Sequence, residues 1–433
     1  MSEEILQKIL RDNKELSSLP QVIVDVIRIA NNPDASMAEL VGVIKKDPAL
    51  TAKLLRIVNS PYYCPASKIS TVQQAVVTIG LRTVTAVALA MSIYDKFKTM
   101  AGSIDRKKFW RHSLEVALTS RMIAGETGYK EPEEAFVAGL LHDIGSLVLE
   151  ASFPEEFARI CKLTESGVRM TSVEERSWGT NHARVGQFLL SQWRLPQNLA
   201  DAVGNHHFVF KNGNPTPQTK LNQIVNLANH ISKFRVLDMP QPDTEEFESK
   251  QILTSNLGLS FEALSAIEER SVSEVAEEAS YLEIEIGSME EILRDANRLL
   301  FKQYIIAEEL LMGNIQMHRQ FIGDRPATQS GGVTKEMFPV LIRFTNDTTT
   351  TLLNTAENIK TILAETDPGD QTGFVEASIK SISRGVDSIS AILVELRKFG
   401  DRQKSGGKVT LTSGKKAEPA GNDPEKQKAP ALM

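Results

Sequence analysis

Apolar residues along this chain recur at intervals of three and four, and convincing alternation of period two is absent. Val22, Val26 and Ile29 fall at i, i+4 and i+7, and Leu50, Leu54 and Val58 repeat every fourth residue. Such spacing puts side chains on one stripe of an α-helix. Pro20 and Pro48 stand at the openings of these segments, where proline costs no hydrogen bond. Val72, Ala75, Val76 and Ile79 form a third stripe, which Gly80 ends. Residues 1–104 therefore predict a bundle of short helices.

The helical pattern continues through 105–287, the segment that holds the candidate chemistry. Ser288 with Glu291 three residues on is a capping signature that opens an amphipathic connecting helix over 288–322. Its stripe is Ile292, Ala296, Leu299, Ile306, Leu310 and Met317. A Gly-, Pro-, Ser- and Thr-rich linker follows at 323–335. Over 336–400, Leu341, Leu352, Ile359 and Ile362 precede an Asp367-Pro368-Gly369 turn. Val375, Ile379, Ile382, Val386, Ile389, Leu393 and Leu396 then alternate spacings of four and three. This predicts a helical hairpin too thin to bury its own seam, which should dock on a protein partner or self-associate. The tail 401–433 has few large apolar residues and the composition of a disordered segment. The expected fold class is all-α.

Composition narrows the function classes. The 433-residue chain has a formal charge of -6 and no basic block before its last residues, so nucleic acid is not an expected partner. No segment reaches the length needed to cross a bilayer, the apolar stretch Val84–Ile93 being too short, and no basic start with an apolar run opens the chain. Two distant cysteines, Cys64 and Cys161, form no CxxC pair. These features predict a cytoplasmic protein in a reducing compartment, away from membranes.

Against this background His112, the doublet His142-Asp143, His182 and the pair His206-His207 stand out, with Asn229 beyond them. Helical spacing puts each on an otherwise apolar face: His112 with Val116 and Ile123, Asp143 with Phe136, Leu140 and Leu147, His206 with Leu199 and Val203. One such histidine is usually a satisfied core residue. Five of the chain's seven on inward faces suit a divalent transition metal such as iron, manganese or zinc. A network of side chains hydrogen-bonded to one another is the competing reading. His230 and His318 lie outside the pattern.

The His112, His142-Asp143 arrangement resembles the HD superfamily of metal-dependent phosphohydrolases. His182 with Val185-Gly186, then His206-His207, is similar to its cyclic-dinucleotide phosphodiesterase branch, HD-GYP. The N-terminal part resembles the related HDOD family of bacterial signalling modules. The motifs are Leu19-Pro20, Asp47-Pro48-Ala49-Leu50, Leu54-Leu55-Arg56, Asn59-Ser60, Tyr62-Tyr63, Ile69-Ser70-Thr71 and Gly80-Leu81-Arg82, in that order. The resemblance covers roughly Leu16 to Ile231. It implies an HD-like helical bundle preceded by an N-terminal helical subdomain. It also implies two metal positions, one from His112, His142, Asp143 and Asn229, the other from Asp143, His182, His206 and His207.

Three departures bear on activity. Asn229 replaces an aspartate, Ser146 stands where the phosphodiesterases carry a lysine, and Phe208 replaces a glutamate ahead of a segment, Lys211-Asn212-Gly213-Asn214-Pro215, without their Gly-Tyr-Pro loop. A neutral amide supports a cation less than a carboxylate does. The expectation is a signal-transduction protein with a degenerate metal site and no assigned catalytic residue, acting through protein–protein contacts. The alternative is a metal-dependent phosphohydrolase of a nucleotide or cyclic dinucleotide, with Arg111 or Arg184 in place of the lysine. Singly, Asp47-Pro48 and Asn59-Ser60 read as turn and capping chemistry; Tyr62-Tyr63 reads either as packing or as a recognition surface.

Overall fold

Local capping chemistry divides the N-terminal part into helices where the pattern predicts them. A computed structural model describes residues 2–288, 291, 292 and 295, apart from 13–17, 33, 64–66, 166–167, 210–214 and 233–243. Most of the connecting helix, the linker, the 336–400 hairpin and the tail lie outside the described residues. The first six helices are α1 (Ser2–Asp12), α2 (Gln21–Ala30), α3 (Met37–Ile44), α4 (Pro48–Ile57), α5 (Val72–Ile79) and α6 (Leu81–Phe97). Ser36 and Thr71 close capping boxes with Glu39 and Gln74, and Asp47 accepts the backbone N–H groups of Ala49 and Leu50. Each cap satisfies N–H groups that the first helical turn leaves without partners. Gly80 at φ 90° lets α6 leave α5 at a bend of 120°, a backbone conformation that a β-carbon would strain.

Asn59 uses both ends of its amide on the 59–69 connection. It donates to the Ile69 carbonyl (2.8 Å) and accepts from the Ile69 N–H (2.8 Å). Here the turn-and-cap reading of the N-terminal motifs holds. Tyr62 and Tyr63 also serve packing: their rings meet edge to face, and the Tyr62 ring lies 3.3 Å from the Arg121 guanidinium. The contact joins the N-terminal loop to the next group of helices.

That group comprises α7 (Arg106–Glu126), α8 (Pro132–Leu141), α9 (Ile144–Ser152), α10 (Pro154–Glu165), α11 (Met170–Trp178), α12 (His182–Gln192), α13 (Gln197–Gly204) and α14 (Pro217–Ile231). Two further helices, α15 (Thr244–Leu257) and α16 (Phe261–Leu282), follow, with α15 against α14 and α16 against α7. No strand occurs among the described residues, so the fold is all-α. One apolar core runs from Ile9 to Ile292 through both groups, and Trp110, Tyr94, Phe97 and Phe109 are among its largest fully buried side chains. At its end Ser288 and Glu291 form the expected capping box.

One stretch departs from the expectation that nothing is long and apolar enough to cross a bilayer. Pro132–Ser152 meets that criterion with a mean hydropathy of 1.3, but 89% of the window is buried inside the protein. Its apolarity is that of a central core segment. The run is also not one helix, as its stripe suggested. It breaks at His142-Asp143 into α8 and α9.

Two glycines bring the helices around that break unusually close. A β-carbon on Gly139 would lie 2.7 Å from the Ala117 Cα on α7, and one on Gly145 would lie 2.0 Å from the His182 carbonyl oxygen on α12. Only hydrogen at these positions permits both crossings. The first sets α8 against the helix of His112, and the second sets α9 against the first residue of α12, His182.

Candidate metal centre

Three of the histidines that converge on the centre, His142, His182 and His206, are placed by the ends of helices. The last carbonyls of α8 and α13 have no partner within their helices, and a histidine just past each end supplies one. His142 Nδ1–H donates to the Gly139 carbonyl (2.7 Å), and His206 Nδ1–H donates to the Val203 carbonyl (2.6 Å). A carbonyl only accepts, so both rings carry a proton on Nδ1 and turn Nε2 away from the helix. At the N-terminus of α12 the arrangement is inverted. Glu174 Oε2 accepts both the His182 backbone N–H (3.0 Å) and its Nδ1–H (2.7 Å). His112, inside α7, bonds through Nδ1 to Ser232 Oγ (2.9 Å), and the Ser232 hydroxyl donates to Glu115.

Four rings thus turn Nε2 towards one carboxylate, Asp143. Its Oδ2 lies 3.3 Å from His142 Nε2 and 3.6 Å from His112 Nε2, whereas Oδ1 lies 3.3 Å from His206 Nε2 and 3.4 Å from His182 Nε2. His207 Nε2 is 2.9 Å from His182 Nε2. One ligand atom from each of Asp143, His182, His206 and His207 falls within 4.8 Å of the others, and so does one from each of His112, His142 and Asp143. Asp143 stands in both groups with a different oxygen turned to each.

Electrostatics bears on both the metal and the hydrogen-bonded reading of the cluster. Burial pushes the His206 imidazole down to about 4 and His207 well below its ordinary value, so both are neutral at neutral pH. Burial opposes ionisation of Asp143, but the imidazoles of His142, His206 and His182 outweigh it and hold the carboxyl well below the usual range. The centre is a buried anion ringed by imidazole nitrogens, which could hold a cation and which also lie within hydrogen-bond distance of one another. Its spacing fits as well: bonds of about 2.0–2.2 Å put neighbouring ligands of one ion roughly 3 Å apart. Imidazoles with one carboxylate suit iron, manganese or zinc.

Asn229 is buried on α14, and its carbonyl accepts from the Ser232 N–H (3.3 Å). Ser146 is buried in α9 and brings no charge, and Phe208 is exposed. Neither arginine considered as a substitute for the lysine serves the centre. Arg111 donates to Asp295 (2.7 Å) and to the Ile286 carbonyl (3.4 Å), and Arg184 is exposed. His230 donates its Nδ1–H to the Asn226 carbonyl (3.0 Å), outside the cluster. His318 and residues 211–214 lie outside the described residues.

Sequence reasoning did not single out Glu174, Glu115 or Ser232. The first two carry a signal. Glu174 interrupts the stripe Met170, Glu174, Trp178, all buried, and Glu115 lies one turn from His112 on the buried face of α7. A carboxylate on an apolar stripe needs a partner inside.

A helical bundle with histidines and a shared aspartate at its helix ends defines an HD-type domain. Residues 16–209 match the HDOD domain model, and that segment of the chain is an HDOD domain. A crystal structure of an HDOD domain protein of unknown function from Geobacter sulfurreducens is 28% identical, covers 62% of this chain and 92% of its own, and superposes with a TM-score of 0.51. A candidate phosphohydrolase from Shewanella amazonensis SB2B is 24% identical with a TM-score of 0.52, covers 66% of this chain and 99% of its own, and shares the fold. An uncharacterized curated protein from Treponema pallidum (strain Nichols) is 24% identical over 195 residues, 45% of this chain. The match spans only 38% of that relative's length.

Proposed function

We propose that this protein is a signal-transduction regulator whose HDOD module holds a divalent metal ion and works through protein–protein contacts, with little or no hydrolytic turnover. The observation that carries this reading is the donor set: four oriented imidazoles share a single carboxylate, with Asn229, Ser146 and Phe208 where the phosphodiesterase pattern has charged residues. Asp143, His182, His206 and His207 would hold one ion, and His112, His142, Asp143 and Asn229 a second, weaker one. A bound ion of this kind supplies Lewis-acid polarisation of an oxygen ligand.

The link to the rest of the chain supports a regulatory role. Asp295, at the start of the connecting helix, pairs with Lys108 (2.5 Å) and Arg111 (2.7 Å), the latter adjacent to His112. A change at the centre would thereby reach the segment that leads to the 336–400 hairpin. That hairpin is the proposed docking or self-association element in a cytoplasmic setting.

Hydrolysis of a nucleotide or cyclic dinucleotide is the second reading. It is favoured by the division of the Asp143 oxygens between two histidine groups, an arrangement suited to bridging two ions. Incubation of the untagged protein with a cyclic dinucleotide and manganese or ferrous iron separates the two. Weak or absent turnover is expected; robust turnover that Asp143→Ala abolishes would replace the regulatory reading with the enzymatic one.

A further inference from the structure

Behind each half of the centre stands a buried carboxylate that is not itself among the converging donors. On one side it is Glu174, fully buried in α11. One of its oxygens takes both N–H bonds from His182, and the other has no hydrogen-bond partner among the described residues. Its ion pair there is with His182.

On the other side it is Glu115, fully buried in α7 one turn from His112. Between them lies Ser232 at the end of α14. A serine hydroxyl has one hydrogen, and here it is donated to Glu115. Towards His112 the oxygen can then only accept, which fixes the His112 proton on Nδ1. The His112 Nε2 lone pair is left facing His142 Nε2 (3.2 Å) and Asp143. An imidazole whose far N–H is donated towards a carboxylate is a better-oriented and more basic ligand, and interior charges act with little screening.

We propose that Glu174, and Glu115 acting through Ser232, are the positioning residues of the two metal positions, and that Glu115 restores behind His112 the negative charge that Asn229 does not bring. The proposal rests on the metal-centre reading above. It adds that the Asn229 half is a working second position and not a vestige. The two carboxylates differ in reach. Glu174 touches its histidine directly, whereas Glu115 acts across one hydroxyl, so the Glu174 half is the tighter of the two.

The test uses the full-length protein stripped of metal and titrated with cobalt(II) alone, followed by calorimetry and by the visible absorption of the bound ion. Wild type should take up two ions of unequal affinity. Glu174→Gln should weaken the tighter one about 10- to 100-fold, and Glu115→Gln the other about 10-fold. Ser232→Ala should reproduce Glu115→Gln, the double variant should be no worse than Ser232→Ala, and Ser232→Thr, which keeps the hydroxyl, should recover the affinity. The melting temperature of the metal-free variants should stay near wild type while the rise on adding cobalt shrinks, a pattern that a merely structural role does not give. Ser232→Ala removes a single oxygen and carries the test if Glu115→Gln folds poorly. Unchanged affinities in Ser232→Ala, in a protein whose second ion is lost in His112→Ala, would overturn the positioning role and leave the metal centre standing. Cobalt binding unaffected by both His112→Ala and His206→Ala would overturn both together.

Discussion

The two halves of the described structure bury different kinds of side chain. Up to residue 104, Lys53, Ser60 and Thr85 are the buried polar residues among those described, and Lys53 is paired with Asp95 at 2.6 Å. Between residues 105 and 232 there are twenty-one. Both halves share one apolar core and the same short helices, so the difference is not one of fold. Each buried polar group without a partner costs about 1–3 kcal/mol. The fold concentrates buried polar groups around α7 to α14 and supplies partners there, as for Glu150 with Arg106, Arg121 with Glu278 and Asn226 with the Phe208 carbonyl. The N-terminal helices spend their polar residues on caps and on the Asn59 loop closure, and their remaining positions on packing.

That contrast can be broken at its largest effect first. Leu54 is fully buried on α4, and Leu54→Ala should destabilise the protein by about 2–5 kcal/mol, measured by denaturant unfolding. Metal content at temperatures where the variant remains folded should equal that of wild type. A parallel loss of metal would show that the N-terminal helices take part in the centre. Gly145→Ala tests the other half. Its β-carbon would press on the His182 carbonyl, so α9 and α12 must separate, at a cost of about 1–3 kcal/mol. Here metal affinity should fall with stability, because the same separation moves His182 from Asp143. Retained wild-type affinity would mean that the close crossing does not position the ligand.

A third effect is smaller and depends on pH. The His206 imidazole titrates near 4 in the folded protein against 6.5 when unperturbed. The unfolded chain therefore binds more protons between these values, and stability contributed by the neutral ring is present above 6.5 and lost as pH falls towards 4. Metal-free protein should lose about 1 kcal/mol through this group by about pH 5.5, and His206→Gln should flatten that part of the profile. A wild-type profile that is level from pH 7 to 5 would remove the burial argument. At the bottom of the scale is the exposed pair Arg82–Glu131 between α6 and the loop before α8. Arg82→Ala should change stability by less than about 1 kcal/mol and leave metal binding untouched.

How much of this was legible beforehand differs between the same two regions. Three-and-four spacing placed the N-terminal helices, and Pro20 and the Asp47-Pro48 cap placed the starts of two of them, because both signals are local. The members of the centre were legible too, as histidines on apolar faces. Their arrangement was not. The break at His142-Asp143 lies inside an unbroken apolar stripe, between the Gly139 and Gly145 crossings, which are contacts between helices distant in sequence. The role of Ser232 was likewise hidden, since it meets His112 and Glu115 from 120 and 117 residues away. Glu174 could have been found from its place between Met170 and Trp178.

Metal content is the most direct test. Protein purified without an affinity tag, analysed by elemental mass spectrometry beside Asp143→Ala and His206→Ala, should carry at least one iron, manganese or zinc ion per chain, and both variants should lose it. Wild-type protein that carries no transition metal, and takes up none when iron, manganese and zinc are supplied, would contradict the metal centre.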